Sequence, residues 1–211
     1  MARHLPGQLS LFDDVPAGLL ATSEPAGPWQ PEPRPDQLLL VLPIGGKAAG
    51  ALIGVGESLA DRYGLGAPAF LDLFYLPVFD LGRADELPER QLASLMAAAE
   101  KLALPRLTLT ARRIGPALLG DDAAAVALQL EASEALDQFV DYLGDGLRLR
   151  GLGDYLNAAD RSVIALGRTL AVVPEIGLGQ PLALPVREFA LVRVSGVSGA
   201  HHIVQQWALR P

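Results

Sequence analysis

The sequence contains no cysteine and only three histidines, His4, His201 and His202. The absence of thiols excludes disulfide frameworks, thiolate zinc sites, iron–sulfur clusters and a cysteine nucleophile. His201 and His202 are adjacent in a predicted strand, and neighbouring strand residues point to opposite faces, so these two cannot share one metal ion. We therefore expect neither a resident metal nor a cofactor.

The chain is also short of positive charge and of long apolar runs. Its 17 lysines and arginines against 24 aspartates and glutamates give a net charge of −7, the wrong sign for a protein that coats nucleic acid. Apolar stretches such as Leu38–Leu42 are far below the ~20 residues that a membrane-spanning helix needs. The N-terminus has Arg3 but no apolar block typical of an export signal. We expect a cytoplasmic protein without a membrane partner.

Proline is distributed unevenly along the 211 residues. Seven of the 17 prolines lie within residues 1–35. Proline removes amide donors and disfavours helix in the residue before it, so this stretch is predicted to be a flexible tail. Residues 36–211 are numerous enough to bury an apolar core as one domain.

The hydrophobic pattern of that domain repeats one plan twice. An apolar strand, an amphipathic helix and a second apolar strand occur at about 38–76 and again at about 126–168. Two similar units predict an α+β domain with pseudo-two-fold symmetry, whose lobes are roughly residues 36–118 and 119–211.

Two local predictions within this plan bear on the candidate site and the core. The second strand of the first unit is predicted to run over Phe70–Leu76 and to end at Pro77. The helix of the second unit is predicted at Glu134–Leu143, with apolar residues on one face and Gly144 as its end.

Several sequence strings are similar to those of a known family. They are DQLLLVLP (36–43), LADRYGLG (59–66), FLDLFYLP (70–77), LTLTARRIGP (107–116), VALQLE (126–131), SVIALGRT (162–169) and the closing FALVRVSGVSG with Trp207 and Leu209. In this order and spacing the chain resembles the two-histidine phosphoesterase superfamily, in particular the bacterial 2'-5' RNA ligase-like proteins or RNA 2',3'-cyclic phosphodiesterases. The resemblance implies antiparallel sheets facing across a central cleft, with helices on the outside.

The chemistry of that family resides in two His-x-Thr/Ser motifs, one on a central strand of each lobe. Residues i and i+2 of a strand share a face, so both side chains project into the cleft, where one histidine is the general base and the other the general acid. Here the first motif aligns with Phe70 and Asp72, and the second with Val163 and Ala165. A slip of one residue would bring in Ser162, but no slip brings in a histidine.

The missing motifs favour a catalytically degenerate domain that acts as a binding or interaction module, with an RNA end or nucleotide as a possible ligand of the cleft. The alternative is an active phosphodiesterase on 2',3'-cyclic or 2'-5'-linked nucleotides that uses substitute residues, namely Asp72 with His201 or His202. A structural subunit whose apolar cleft is simply filled is a third hypothesis.

The tail contains a pentapeptide that suggests a partner. Gln8, Leu9, Ser10, Leu11 and Phe12 resemble the consensus by which bacterial polymerases and repair proteins bind the replicative sliding clamp. In such peptides the leucine and the aromatic ring enter an apolar pocket while glutamine fixes the register. The competing interpretation is that the apolar residues of this segment pack on the domain as a strand or plug.

Overall fold

The structure is a computed structural model, and it describes residues 34–63, 69–70, 73–119, 123–168, 174–197 and 199–211. The chain divides into two units, Met1–Glu32 and Pro33–Pro211, and every described residue belongs to the second. The pentapeptide of residues 8–12 and the candidate residue Asp72 lie outside the described residues.

The second unit contains three α-helices and ten strands among its described residues. In chain order they are β1 (Gln37–Pro43), α1 (Gly46–Tyr63), β2 (Ala69–Phe70), β3 (Tyr75–Arg83), α2 (Glu89–Ala99), β4 (Leu107–Leu119), β5 (Ala123–Leu130), α3 (Glu134–Arg148), β6 (Asn157–Ala158), β7 (Val163–Arg168), β8 (Ile176–Val186), β9 (Glu188–Val194) and β10 (His201–Ala208). No helix of the described ranges is long and apolar enough to cross a membrane.

The helix α3 begins and packs as its sequence predicts. Ser133 caps it by accepting a hydrogen bond from the backbone N–H of Leu136 at 3.2 Å, which satisfies one of the free amides of the first turn. The predicted apolar face is buried, and the ring of Phe139 meets that of Phe189 on β9 edge to face, with centroids 6.2 Å apart. This contact fixes the helix on one face of the sheet that contains β9.

The predicted end of α3 at Gly144 is wrong, because the helix continues to Arg148. A Cβ added at Gly144 would lie 3.2 Å from the ring of Phe79, and one added at Gly146 would lie 2.5 Å from a methyl group of Leu102. Both glycines therefore allow close packing against neighbouring elements, and neither ends the helix.

The strands form two five-stranded antiparallel sheets. The first sheet has the order β10-β9-β1-β3-β6 and the second the order β2-β7-β5-β4-β8. Every pair of neighbours in both sheets is antiparallel. The prediction of an α+β fold with antiparallel sheets is confirmed.

The two sheets follow the same plan, which accounts for the repeat in the sequence. In the first, the unit β1-α1-β3 places β3 between β1 and the two-residue edge strand β6. In the second, the unit β5-α3-β7 places β7 between β5 and the two-residue edge strand β2. The pseudo-two-fold relation therefore pairs β3 with β7 and β1 with β5.

The division into lobes at about residue 118 differs from the structure, because each sheet takes strands from both halves of the chain. β9 from the second half lies beside β1, and β4 from the first half lies beside β5. Burial patterns specify which side of a strand is covered, and they do not specify which strand lies next to it. The lobes are therefore sheets and not consecutive stretches of sequence.

The strand predicted over Phe70–Leu76 is also wrong. Phe70 lies on β2, where it pairs with Gly167 in the second sheet, whereas Tyr75 begins β3 and pairs with Pro43 in the first sheet. The sequence is almost uniformly apolar over this stretch, so no residue type marks the passage from one sheet to the other.

Candidate functional site

The symmetry of the two sheets identifies the strands on which a pair of equivalent sites would lie. Tyr75 is the first residue of β3 and pairs with Pro43, the last residue of β1. Val163 is the first residue of β7 and pairs with Gln129, one residue before the end of β5. Tyr75 and Val163 therefore occupy equivalent positions in the two sheets.

On β7 the residues Val163 and Ala165 lie on the face opposite the core. Ile164 and Leu166 are buried in the apolar core, whereas Val163 and Ala165 are half-buried and stand opposite Gln129 and Ala127 of β5. The sequence alignment places the second motif at these two positions. Both side chains are apolar, so this strand offers neither an imidazole nor a hydroxyl.

On β3 the equivalent residues are Tyr75 and Pro77, which sequence reasoning missed. Phe70, where the alignment placed the first motif, lies on the edge strand of the second sheet. β3 and β7 both end in Leu-Gly-Arg, at residues 81–83 and 166–168, but aligning these endings would place Val163 on Val78 and not on Tyr75. The position of Tyr75 follows from the strand pairing at the start of β3 and not from the sequence.

The structure brings one of the two C-terminal histidines to this position. His201 lies opposite Val194 on β9 and His202 opposite Arg193, so their side chains point to opposite faces, as strand geometry requires. The ring of His201 meets the ring of Tyr75 edge to face, with centroids 5.2 Å apart and an interplanar angle of 72°. His202 is exposed on the other face.

This ring contact joins opposite corners of the first sheet. Tyr75 pairs with Pro43 at one end of β1. His201 pairs with Val194, which in turn pairs with Gln37 at the other end of β1. The two residues are therefore separated by three strand spacings across the sheet and by six residues along it. In a flat sheet these offsets would separate the two residues by roughly 25 Å. The rings meet because the sheet is strongly twisted and carries bulges in β3 and β10, which increase its curl.

The curled face encloses a small apolar cluster. Val41, Ala190 and Val192 are fully buried there, with the half-buried Tyr75 and Val194 packed against them. The face of the first sheet that carries Tyr75 is therefore an apolar floor with an aromatic pair above it.

The charges near this region lie on the other face of the first sheet. Asp36 accepts a hydrogen bond from the backbone N–H of Gly196 at 3.0 Å and one from Nε of Arg193 at 2.6 Å. The Gly196 hydrogen bond, followed by that of Arg193, lowers the pKa of the Asp36 carboxyl below its usual value. This cluster anchors the start of the domain, and it lies beside His202.

In the second sheet, polar side chains flank the position of Val163. Arg113, opposite Gln129 on β4, forms an ion pair with Glu175 at 2.6 Å between Nη1 and Oε1. The Gln129 amide lies over Gly115, where an added Cβ would be 2.8 Å from Nε2. Arg112 on β4 pairs with Glu131, which directly follows β5. The arginines are thus paired with carboxylates at the surface.

Within the described ranges, no group of three histidine, aspartate or glutamate side chains is close enough to hold a metal ion. Every buried side chain there belongs to a hydrophobic residue, so the described residues provide no buried carboxylate or imidazole.

No protein-family model and no curated protein matches the sequence. Solved structures do match it, and they define the class of fold. A phosphoesterase has a TM-score of 0.61 and 21% sequence identity, over 84% of this chain and 100% of its own. The chain therefore has a phosphoesterase fold.

Two named proteins make the fold more specific. E. coli LigT in complex with 3'-AMP has a TM-score of 0.60 and 20% identity, over 84% of this chain and 100% of LigT. The protein TT0787 of Thermus thermophilus has a TM-score of 0.61 and 22% identity, over 82% of this chain and 98% of its own. LigT has also been crystallised with ATP, NADP+ and phosphate. The two-lobed fold of LigT, which the resemblance to the two-histidine phosphoesterases predicted, is confirmed.

Proposed function

We propose that this protein is a catalytically degenerate relative of the LigT-like phosphoesterases that binds a nucleotide or RNA end without hydrolysing it. One observation carries the proposal: the equivalent positions on β3 and β7 hold Tyr75, Pro77, Val163 and Ala165. None is a histidine, and three of the four have no polar side-chain atom.

The energetic consequence is large because two-histidine chemistry needs an acid and a base at the same time. General acid–base catalysis contributes typically about 10²–10⁴-fold for each group. Only one imidazole of the described residues, that of His201, contacts a residue at these positions. A single group on one lobe leaves the second lobe without a proton donor or acceptor at Val163.

The ligand class is supported by the structural neighbours. LigT has been crystallised with 3'-AMP, ATP and NADP+, all of which contain adenosine and phosphate. A protein with the same fold and no acid–base pair is suited to bind such a molecule and release it unchanged. The ligand we propose is therefore a nucleotide or the phosphorylated end of an RNA.

The proposal is tested by measuring hydrolysis and binding on the same preparation. Calorimetric titration with 3'-AMP should give saturable binding, and a 2',3'-cyclic nucleotide should remain intact when it is incubated with the wild-type protein. The variant Tyr75→His/Pro77→Thr/Val163→His/Ala165→Thr should gain hydrolysis, whereas each pair of substitutions alone should not. Efficient turnover by the wild-type protein would contradict the proposal.

A second candidate function is an active phosphodiesterase with substitute residues. The contact between His201 and Tyr75 favours it, because an imidazole and a phenol lie together at the motif position of the first sheet. Asp72, whose place is outside the described residues, is the carboxylate that this hypothesis adds from the sequence. Hydrolysis that disappears in His201→Gln and in Asp72→Ala, and persists in His202→Gln, would establish this function in place of the first.

We further propose that residues 8–12 recruit the protein to the bacterial sliding clamp. The support is the match of Gln8, Leu9, Ser10, Leu11 and Phe12 to a clamp-binding peptide. Titration of the full chain with purified clamp should give binding that Leu11→Ala/Phe12→Ala abolishes.

The matched control for the clamp experiment is Leu19→Ala/Leu20→Ala, which removes two apolar side chains from the same tail outside the pentapeptide. Unchanged affinity in the Leu11→Ala/Phe12→Ala variant, or equal losses in both variants, would exclude the pentapeptide as the clamp-binding element.

A further inference from the structure

The Tyr75–His201 pair presents aromatic surface at the place where the first sheet would carry a catalytic histidine. In an edge-to-face contact one of the two rings contributes only its edge, so the partner ring does not cover the faces of that ring. Both side chains are half-buried, which leaves part of each accessible to a ligand. The pair therefore combines fixed ring positions with aromatic surface that is partly accessible.

The apolar cluster beneath the rings holds them in place. Val41, Ala190 and Val192 are fully buried on this face, and the pair closes the curled sheet above them. At the β10 side the surface continues with Val194, which is half-buried, and Ile203, whose side chain is 44% exposed. A flat ligand at this position would contact rings whose conformation is already set.

The chemistry of the surface favours an uncharged aromatic group over a phosphate. The neighbours of the rings on β9 and β10 are aliphatic, and Arg193, which precedes Val194, points to the other face, where it pairs with Asp36. Aromatic side chains bind nucleobases by stacking, since every base has a π-face.

We propose that Tyr75 and His201 form a stacking platform for the purine base of a bound nucleotide. This inference rests on the proposed function and adds which part of the ligand the first sheet binds. Tyr75, which stands at one of the four motif positions, thus serves binding together with His201 of β10, and the phosphate lies away from both rings.

The experiment compares base and phosphate on one set of variants. Calorimetric titrations use adenosine, 3'-AMP and inorganic phosphate as separate probes. Tyr75→Leu and His201→Leu should each weaken adenosine and 3'-AMP binding about five- to 150-fold, the usual effect of removing one stacking ring, and should leave phosphate binding unchanged. Tyr75→Phe keeps the ring and should keep the affinity.

The chain provides a matched control in His202→Leu, which removes the neighbouring imidazole from the opposite face and should bind all three probes like the wild type. A measurement on the unmodified protein accompanies the variants: addition of adenosine should shift the His201 imidazole proton resonances upfield by the ring current of the base, and not those of His202.

The outcomes separate the platform from the function on which it rests. If the wild type binds 3'-AMP and both leucine variants bind it equally well with no shift at His201, the platform is wrong and the proposed function stands. If the variants weaken phosphate binding as much as adenosine binding, the pair is an anion site, which also overturns the platform. If the wild type binds neither adenosine nor 3'-AMP, both proposals fall.

Discussion

Gly196→Ala tests whether the start of the domain is held by the turn between β9 and β10. A Cβ at this position would overlap the backbone carbonyl of Arg34 and would lie 2.5 Å from the carbonyl oxygen of Pro35. Backbone atoms cannot move away by a change of rotamer, so either the turn or the segment before β1 must shift. The shift would also weaken the hydrogen bond from the Gly196 N–H to Asp36.

The expected magnitude follows from the cost of overpacking, about 1–3 kcal/mol, and we place it at about 2–3 kcal/mol because the clash is with backbone. With a urea m-value of about 2 kcal/mol/M, the midpoint of unfolding should fall by about 1–1.5 M. The assay is equilibrium urea denaturation followed by circular dichroism, on transitions that two probes report identically.

Gly177→Ala is the matched control for Gly196→Ala. Gly177 lies on β8 with no atom within 4 Å of a built Cβ and without a left-handed backbone, so its midpoint should change by less than about 0.25 M. If the midpoint of Gly196→Ala is the same as that of Gly177→Ala, the packing of the turn on residues 34 and 35 is refuted.

Three further predictions concern stability. The pKa of the Asp36 carboxyl is lowered in the folded state. Its contribution to the free energy of unfolding is therefore complete above the ordinary carboxyl pKa of about 4 and is lost as the pH falls through the lower folded value. In urea titrations at stepped pH, the difference in unfolding free energy between wild type and Asp36→Asn should shrink over that acid range. Phe139→Ala removes a fully buried ring and should lower the free energy of unfolding by about 3–5 kcal/mol in a denaturation assay. Tyr142→Ala, at an exposed position on the same helix, should lower it by less than about 0.5 kcal/mol. Equal losses in the two variants would contradict the assigned buried and exposed faces of the helix. Ser133→Ala removes the cap of α3 and should cost about 1 kcal/mol in the same assay, and no loss would exclude the cap as a stabilising contact.

Local patterns in the sequence were sufficient to predict individual helices and strands, but not which strands lie next to each other in a sheet. The apolar face of α3 and the repeated strand–helix–strand plan both arise from which residues of a segment are buried, and periodicity reports this directly. The exchange of β4 and β9 between the sheets depends on contacts between distant parts of the chain. Glycine was ambiguous in the same way, since Gly144 was interpreted as a helix end when it is a packing position against Phe79.

The candidate site shows the same division. Val163 and Ala165 were placed on the strand where the structure has them, because the short strand β7 has the alternation of a single element. Tyr75 was missed because Phe70 and Tyr75 belong to one apolar run in the sequence and to two sheets in the fold. The contact between Tyr75 and His201 could not be predicted, since it depends on the curl of a whole sheet.

The placement of β9 beside β1 has a consequence for synthesis on the ribosome. β1 is the first strand of the domain to emerge, yet its neighbour on one side, β9, comes much later in the chain. Until β9 has been synthesised, β1 has an open edge that can pair with other nascent chains. We therefore expect the first sheet to form only after β9 has left the ribosome, and a shortened chain that ends before β9 to aggregate rather than to leave one intact half.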